Sequence, residues 1–267
     1  MRGRDSDVLA RIAGAVRERL AQQPAAPDLA ARARTKTAER RRAGTRSLRG
    51  ALIAPGVRVI AECKRRSPSK GWLNAPFDPI RLARAYQAGG AAALSVVTEP
   101  EFFAGEIEWI PLLRREVTVP VMQKDFLLEP RQLLEAAVLG ADAVLLIVRL
   151  LPGGLLGEML AVVADLGLEA LVEVHDTSDL ERVLDVPAPM VGINARDLRS
   201  FKVNLAGAAR LASRIPEDRV TVIESGIGGP AELATLTGRG FRCFLIGEHL
   251  VRSTDPRAAL AELLSWA

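Results

Sequence analysis

Glu62 and Lys64 stand two residues apart where an apolar run, Val57, Val59, Ile60 and Ala61, gives way to charge. Side chains alternate along a strand, so this carboxylate and ammonium share one face while Cys63 takes the other. Charge at the end of a buried strand costs desolvation energy, and it is kept either for an ion pair that holds structure or for chemistry. The pattern returns along the chain. Further apolar runs end in Ser95, Thr98 and Glu99; in Lys124-Asp125-Phe126; in Glu173 and His175; in Asn194, Arg196 and Asp197; in Glu224-Ser225-Gly226; and in Gly247-Glu248. One run ends almost dry, with Arg149 as its single charge. Isolated buried charges are rare, so lysines and carboxylates gathered in one place imply a shared ligand. Ser225-Gly226-Ile227-Gly228-Gly229 and Gly247-Glu248-His249 suit the phosphate of such a ligand. Glycine lets backbone N–H groups approach an anion, and a helix N-terminus adds a favourable dipole.

The elements that would carry these residues follow a regular beat from Val57 onward. Strand-like runs fall at Val57–Glu62, Ala92–Thr98, Val119–Gln123, Ala143–Val148, Glu169–Val174, Met190–Asn194, Val220–Glu224 and Phe241–Ile246. Helical patterns lie between them at Ile80–Ala88, Ile107–Arg115, Pro130–Leu139, Leu155–Leu166, Asp179–Leu184, Leu205–Arg214 and Pro230–Leu236, and after the last run at Arg257–Leu264. Alternation of this kind means βαβ units and a parallel sheet. Its strands read as continuous apolar runs, as they do when both faces are covered. The beat matches a (β/α)8 TIM barrel, a fold of ~250 residues whose active sites lie at the C-terminal rim of the strands. An open doubly wound sheet is the rival, but no G-x-G-x-x-G follows the first strand. Before the barrel, residues 5–22 and a strongly basic stretch from Asp28, as N-cap, to Ala43 read as helices. The expected division is an N-terminal helical extension over 1–50, packed on a barrel over 51–267 as one structural unit.

Composition narrows the class. The 267 residues are 49% hydrophobic, 25% charged and 4% aromatic, an ordinary globular balance with an aliphatic core. Two cysteines, Cys63 and Cys243, give no disulfide framework or cysteine metal site and suit a reducing compartment. The opening residues lack the apolar core of a signal peptide. The run Ala143–Val148 is too short to span a bilayer. A cytoplasmic location without membrane association is therefore expected; the expected assembly is a monomer or weak homodimer. The net charge of +4 favours an anionic ligand. Arg32, Arg34, Lys36, Arg40, Arg41 and Arg42 carry much of the excess, but no aromatic residues interleave them. That speaks for a solvated helix face rather than nucleic acid.

E-C-K-R-R-S-P-S-K-G (Glu62–Gly71), S-V-V-T-E-P-E-F-F-A-G (Ser95–Gly105), K-D-F (Lys124–Phe126) and G-A-D-A-V-L-L-I (Gly140–Ile147) resemble, in order, segments of the indole-3-glycerol-phosphate synthase family. L-V-E-V-H (Leu171–His175), G-I-N-A-R-D-L (Gly192–Leu198), E-S-G-I (Glu224–Ile227) and L-I-G-E-H-L (Leu245–Leu250) continue the resemblance. E-x-K-x-x-S-P-S with the downstream K-D-F is its most specific part. The resemblance implies ring closure of 1-(2-carboxyphenylamino)-1-deoxyribulose 5-phosphate, with loss of carbon dioxide and water and no cofactor or metal. It further implies Lys124 as general acid, its pKa lowered by neighbouring Lys64, and Glu173 as general base oriented by Asn194. Lys64 would contact substrate and serve as a second acid, and Glu62 and Glu224 would keep the lysines charged and aligned. Arg196 would hold the anthranilate carboxylate with Ser67 beside it, and Phe103 and Phe126 would wall the aromatic ring. Ser225, Gly226, Leu245, Gly247 and the Glu248 backbone would line the phosphate end.

Some positions depart from the family pattern. Ala195, His175 and His249 are expected to face away from the site, while Gln123 and Ala137 replace frequent arginines and forgo salt bridges. The basic helix before Gly44 is expected to cover the rim and attract the anionic substrate. Two alternatives stay open. One is a sister phosphate-binding barrel of the phosphoribosylanthranilate isomerase kind, which would not need the paired lysines. The other is a catalytically idle anion-binding barrel subunit.

Overall fold

Each apolar run becomes a strand, and each strand pairs in parallel with its neighbours in sequence. In a computed structural model, which describes residues 8–74, 76–197 and 202–266, the first four strands are Arg58–Cys63, Ala93–Val97, Val121–Lys124 and Ala143–Ile147. The fifth to eighth are Glu169–Val174, Met190–Asn194, Val220–Glu224 and Cys243–Ile246. The eighth returns to pair with the first, Arg58 opposite Cys243, and closes the barrel. Residues 5–7 of the expected first helix, and Leu198 of the G-I-N-A-R-D-L match, lie outside the described residues.

The strand pleat sorts side chains into two apolar populations. Ile60, Met122, Leu145, Leu171, Val222 and Leu245 fill the barrel interior. Val59, Val96, Val144, Val172, Val191 and Phe244 face outward against the surrounding helices. Those helices start where local chemistry starts them. Asp78 accepts hydrogen bonds from the Ile80 and Arg81 N–H groups, Asp176 from Asp179 and Asp255 from Ala258. Proline occupies the first turn of the helices Pro79–Ala88, Pro130–Leu139, Pro230–Thr237 and Pro256–Ser265, where its missing N–H is not needed.

The N-terminal extension is three helices, α1 (Val8–Gln22), α2 (Leu29–Ala43) and α3 (Leu48–Ile53). α1 lies along the upper rim: Arg19 faces Glu99 at 3.7 Å, Arg11 sits over the Phe102 ring, and Arg131 donates to the Leu20 and Gln23 carbonyls. α2 runs down the flank, where Thr37 donates to Leu166 O and Arg40 to Gly167 O near the base of the barrel. The basic helix therefore does not cover the rim; α1 does. Most of its charge is exposed, whereas Arg40 is buried beside Asp142. Asp28 holds the N-cap position of α2, but its side chain makes no capping hydrogen bond. α3 plugs the bottom, with Leu48 and Leu52 buried in the interior cluster and Ser47 donating to Glu169 at 2.8 Å. Asp142, inside the G-A-D-A-V run, holds the same end. It accepts from Val121 N–H at 2.9 Å and pairs with Arg114 at 3.1 Å.

Leu48 is fully buried at the end of the barrel away from the rim. Leu48→Ala is expected to cost 2–5 kcal/mol of stability, roughly the range for emptying a buried leucine site. Denaturant unfolding reads the loss, and kcat/KM of the folded variant stays at the parent value.

Candidate active site

Charged side chains collect where the inward-facing rows of the strands reach the upper rim. Glu62 and Lys64 leave the first strand in contact with each other. From the third strand, Lys124 Nζ donates to Glu224 Oε2 of the seventh at 2.8 Å. The same ammonium lies 3.6 Å from Glu173 Oε2 of the fifth strand and 3.7 Å from Glu62 Oε2. One lysine thus stands among three carboxylates that are distant in sequence. Asn194 of the sixth strand donates to Glu173 Oε1 at 3.1 Å, and its own carbonyl oxygen accepts from Arg196 N–H at 3.0 Å. Glu173 is thereby held by one oxygen on Asn194 and by the other toward Lys124.

Two glycines make room for this cluster. A Cβ at Gly192 would overlap Glu224 Oε1, and one at Gly247 would crowd Glu62 Oε1. Glycine at these inward positions supplies the space the carboxylates occupy. Gly226 serves backbone conformation as well, with φ of 84°, and Ser225 beside it takes φ of 66°, uncommon for a side chain with a Cβ. The residue pair after the seventh strand is thus folded into a tight left-handed turn that lines the cavity.

Charge and burial set the protonation states. Burial alone would lower the pKa of Lys124, but Glu224, Glu173 and Glu62 outweigh it and hold the group well above the ordinary lysine value. The expected lowering by Lys64 is reversed, because three carboxylates within ion-pair distance exceed the repulsion of one amine. Burial raises Glu173, yet Lys124, His175 and Asn194 more than offset this and keep it well below the usual carboxylate range. Glu62 is likewise lowered, burial being outweighed by Lys64 and Lys124. Burial pushes Glu224 the other way, to about 7, with Glu173 and Glu62 adding to the effect against the pull of Lys124. The site therefore keeps an ammonium beside an ionised carboxylate at neutral pH, an acid and a base in one cavity.

That cavity has a volume of about 760 Å³. Glu62, Lys64, Ser67, Phe103, Lys124, Phe126, Glu173, Asn194, Arg196, Ser225, Gly226, Leu245, Gly247 and Glu248 all line it. Glu224 does not; it lies fully buried beneath Lys124. The Phe103 and Phe126 rings stand 5.9 Å apart and form one wall. Phe103 is set in place by Glu99, whose carboxylate accepts from the Glu101, Phe102 and Phe103 N–H groups. Arg196 lies 3.6 Å from Glu248, which also faces Lys70 at 4.0 Å. The Glu248 carboxylate is thus engaged by two cations at the mouth.

Two histidines depart from expectation. His175 turns inward, its Nε2 3.1 Å from Glu173 Oε1, because positions 173 and 175 share one face of the strand. His249 lines the cavity instead of packing outside the barrel, since the helix Glu248–Arg252 starts at the mouth beside Gly247. Lys70 and Arg252 also line the cavity and escaped sequence reasoning. Lys70 carried a signal in the S-P-S-K-G loop; Arg252, past the last motif, carried none. Ala195 packs outward as expected, and buried Gln123 donates to Thr98 at 3.2 Å.

Fold and site together define a (β/α)8-barrel enzyme with acid–base groups and an anion-friendly mouth at the C-terminal ends of its strands. The model of the family described as indole-3-glycerol phosphate synthase matches residues 9–263, and the chain belongs to that family. Relatives bearing that name include those of Aromatoleum aromaticum, 40% identical over 97% of this chain and 99% of its own, and Rhizorhabdus wittichii, 39% identical over 98% and 100%. The Sulfurimonas denitrificans relative is 44% identical over 77% of this chain and 78% of its own. The family is one of decarboxylating lyases of tryptophan biosynthesis, and this chain is an enzyme of that class. A Pyrococcus furiosus thiamine phosphate pyrophosphorylase structure has a TM-score of 0.60 at 18% identity, covering 82% of this chain and 97% of its own, a likeness of fold alone. Among the described residues no helix is long and apolar enough to cross a membrane.

Gly192→Ala tests the space beneath Lys124. The added methyl displaces the Glu224 carboxylate and with it the ammonium, and misplacement of about 1 Å costs on the order of 10²-fold in turnover. Steady-state kinetics beside an unfolding curve reads this as lost kcat in a folded protein. A variant with parental kcat would show that Glu224 need not sit where it does.

Proposed function

We propose that the chain converts 1-(2-carboxyphenylamino)-1-deoxyribulose 5-phosphate to indole-3-glycerol phosphate, with Lys124 as general acid and Glu173 as general base. The observation that carries this reading is the placement of the Lys124 ammonium 3.6 Å from an ionised Glu173 on the floor of one cavity. In ring closure the aryl carbon bearing the carboxylate attacks the ketone carbon, and a carbon–carbon bond forms. Charge developing on the ketone oxygen draws a proton from Lys124. Breaking the bond to the carboxylate then releases carbon dioxide and returns its electron pair to the ring. Dehydration follows: Lys64 protonates the departing hydroxyl, and Glu173 removes the proton whose loss makes the ring aromatic. Glu62 and Glu224 keep the amines charged and aligned, so the field is in place before the substrate arrives.

The ends of the cavity suit the ends of the substrate. Phe103 and Phe126 receive the aromatic ring, and Arg196 with Ser67 takes its carboxylate, a planar guanidinium matching a planar anion. Ser225, Gly226, Gly247 and the Glu248 backbone, with Leu245 beneath them, take the phosphate. Binding moves the Arg196 guanidinium from Glu248 to the substrate carboxylate. Two buried, unpaired cysteines fit a cytoplasmic setting.

Incubating the protein with the carboxyphenylamino sugar phosphate is expected to produce indole fluorescence; no turnover at micromolar enzyme would overturn the reading. Glu173→Gln is expected to lower kcat by roughly 10²–10⁴-fold, the usual contribution of a positioned base, while KM stays near its parent value. Collapsed affinity with surviving turnover would remove Glu173 from the role.

A further inference from the structure

His175 has no part in the mechanism above, yet it is packed against the residue that serves as base. Its side chain is only 3% exposed, and it lies between two carboxylates. Nε2 is 3.1 Å from Glu173 Oε1, and Nδ1 is 3.7 Å from Asp179 Oδ2. Neither approach meets full hydrogen-bond geometry, although both lie within ion-pair distance. Asp179 is itself anchored. Its Oδ2 accepts from the His175 N–H at 3.0 Å and from Arg149 Nε at 3.0 Å. Arg149, at the end of the fourth strand, also pairs with Asp176 at 2.7 Å. A chain of alternating charge therefore runs from the outer helix start into the cavity: Arg149, Asp179, His175, Glu173, Lys124.

We propose that His175 is a positioning residue for the base: as an imidazolium tied to Asp179, it holds Glu173 by Oε1 and leaves Oε2 turned toward Lys124 and the substrate. The proposal rests on Glu173 being the base. Asn194 donates to the same Oε1, so the oxygen held back has two partners, while among the described residues the working oxygen faces the Lys124 ammonium alone. A neutral imidazole at this place would bury two ring nitrogens without hydrogen bonds between two carboxylates, an arrangement that favours protonation. Burial opposes the charge, but Asp179 and Glu173 outweigh it and raise His175 to about 9, while Arg149 pulls slightly the other way. Lys124 and Asp176 complete the charged groups around it, one beyond Glu173 and one beyond Arg149. The imidazolium in turn helps keep Glu173 ionised.

The chain has only two histidines, so ring resonances of His175 and His249 in 15N-histidine-labelled protein can be told apart by one substitution. The His175 ring is expected to keep its proton well above the ordinary histidine value. In Glu173→Gln its midpoint falls by about one unit or more, the size expected when an adjacent opposite charge is removed. In kinetics, His175→Gln is expected to lower kcat about tenfold with KM within about twofold, because the base is loosened and not deleted. The acid limb of its kcat/KM profile moves to higher pH, since Glu173 loses a cation that held its pKa down. Identical His175 titration in parent and Glu173→Gln would overturn the proposal, as would parental kcat and pH profile in His175→Gln. The titration needs no folded His175 variant and reads the clamp without reference to catalysis. Full turnover in Glu173→Gln would therefore remove the base reading while leaving the titration to report on the contact.

Discussion

A single ammonium surrounded by carboxylates sets the terms for the rest of this molecule. Lys124 is nearly enclosed, and an enclosed cation is tolerated only with compensation near at hand. Compensation comes from Glu62, Glu173 and Glu224, on the first, fifth and seventh strands. No local segment could bring those three together; only the closed barrel does. The fold is thus a means of converging side chains from separate parts of the sequence. Its apolar interior below them, Leu145, Leu171 and Leu245 among others, supplies the low-polarity floor that gives the charges their strength.

Holding such a cluster makes demands elsewhere. Gly192 and Gly247 give up side chains so that carboxylates can occupy the space. At the opposite end α3 plugs the barrel, and Asp142 with Arg114 and Arg40 ties its base together. α1 meets the rim through Arg19 and Arg11, beside the segment that carries Phe102 and Phe103. The extension therefore grips both ends of the barrel: one end frames the cavity, the other seals the core.

Much of this was legible in the residues. Three of the eight strands begin and end where the apolar runs do, Glu169–Val174, Met190–Asn194 and Val220–Glu224, because runs covered on both faces leave sharp edges in sequence. Glu62 and Lys64 were placed on one face by strand parity. The same parity puts His175 with Glu173, on the face turned into the barrel and not away from it. Other features had no local signal. The direction of the Lys124 shift depends on distances to carboxylates 62, 49 and 100 positions away in sequence, which outweigh the one lysine, Lys64, expected to lower it. The ribbon Arg66–Ser67 with Gly71–Trp72 and the helix Pro100–Phe103 are too short for periodicity to reveal. The basic stretch of α2 named a solvated face correctly but not its location on the flank, which tertiary packing alone decides.

The claim most exposed to a direct measurement is the protonation of Lys124. The chain has five lysines, few enough for each side-chain ammonium to be followed by NMR in lysine-labelled protein. Titration into the alkaline range should leave Lys124 protonated where ordinary lysines, at roughly 10.4, have released their protons. A Lys124 that titrates with those others, or below them, would contradict the account, because the three carboxylates could not then be gathered around it as described.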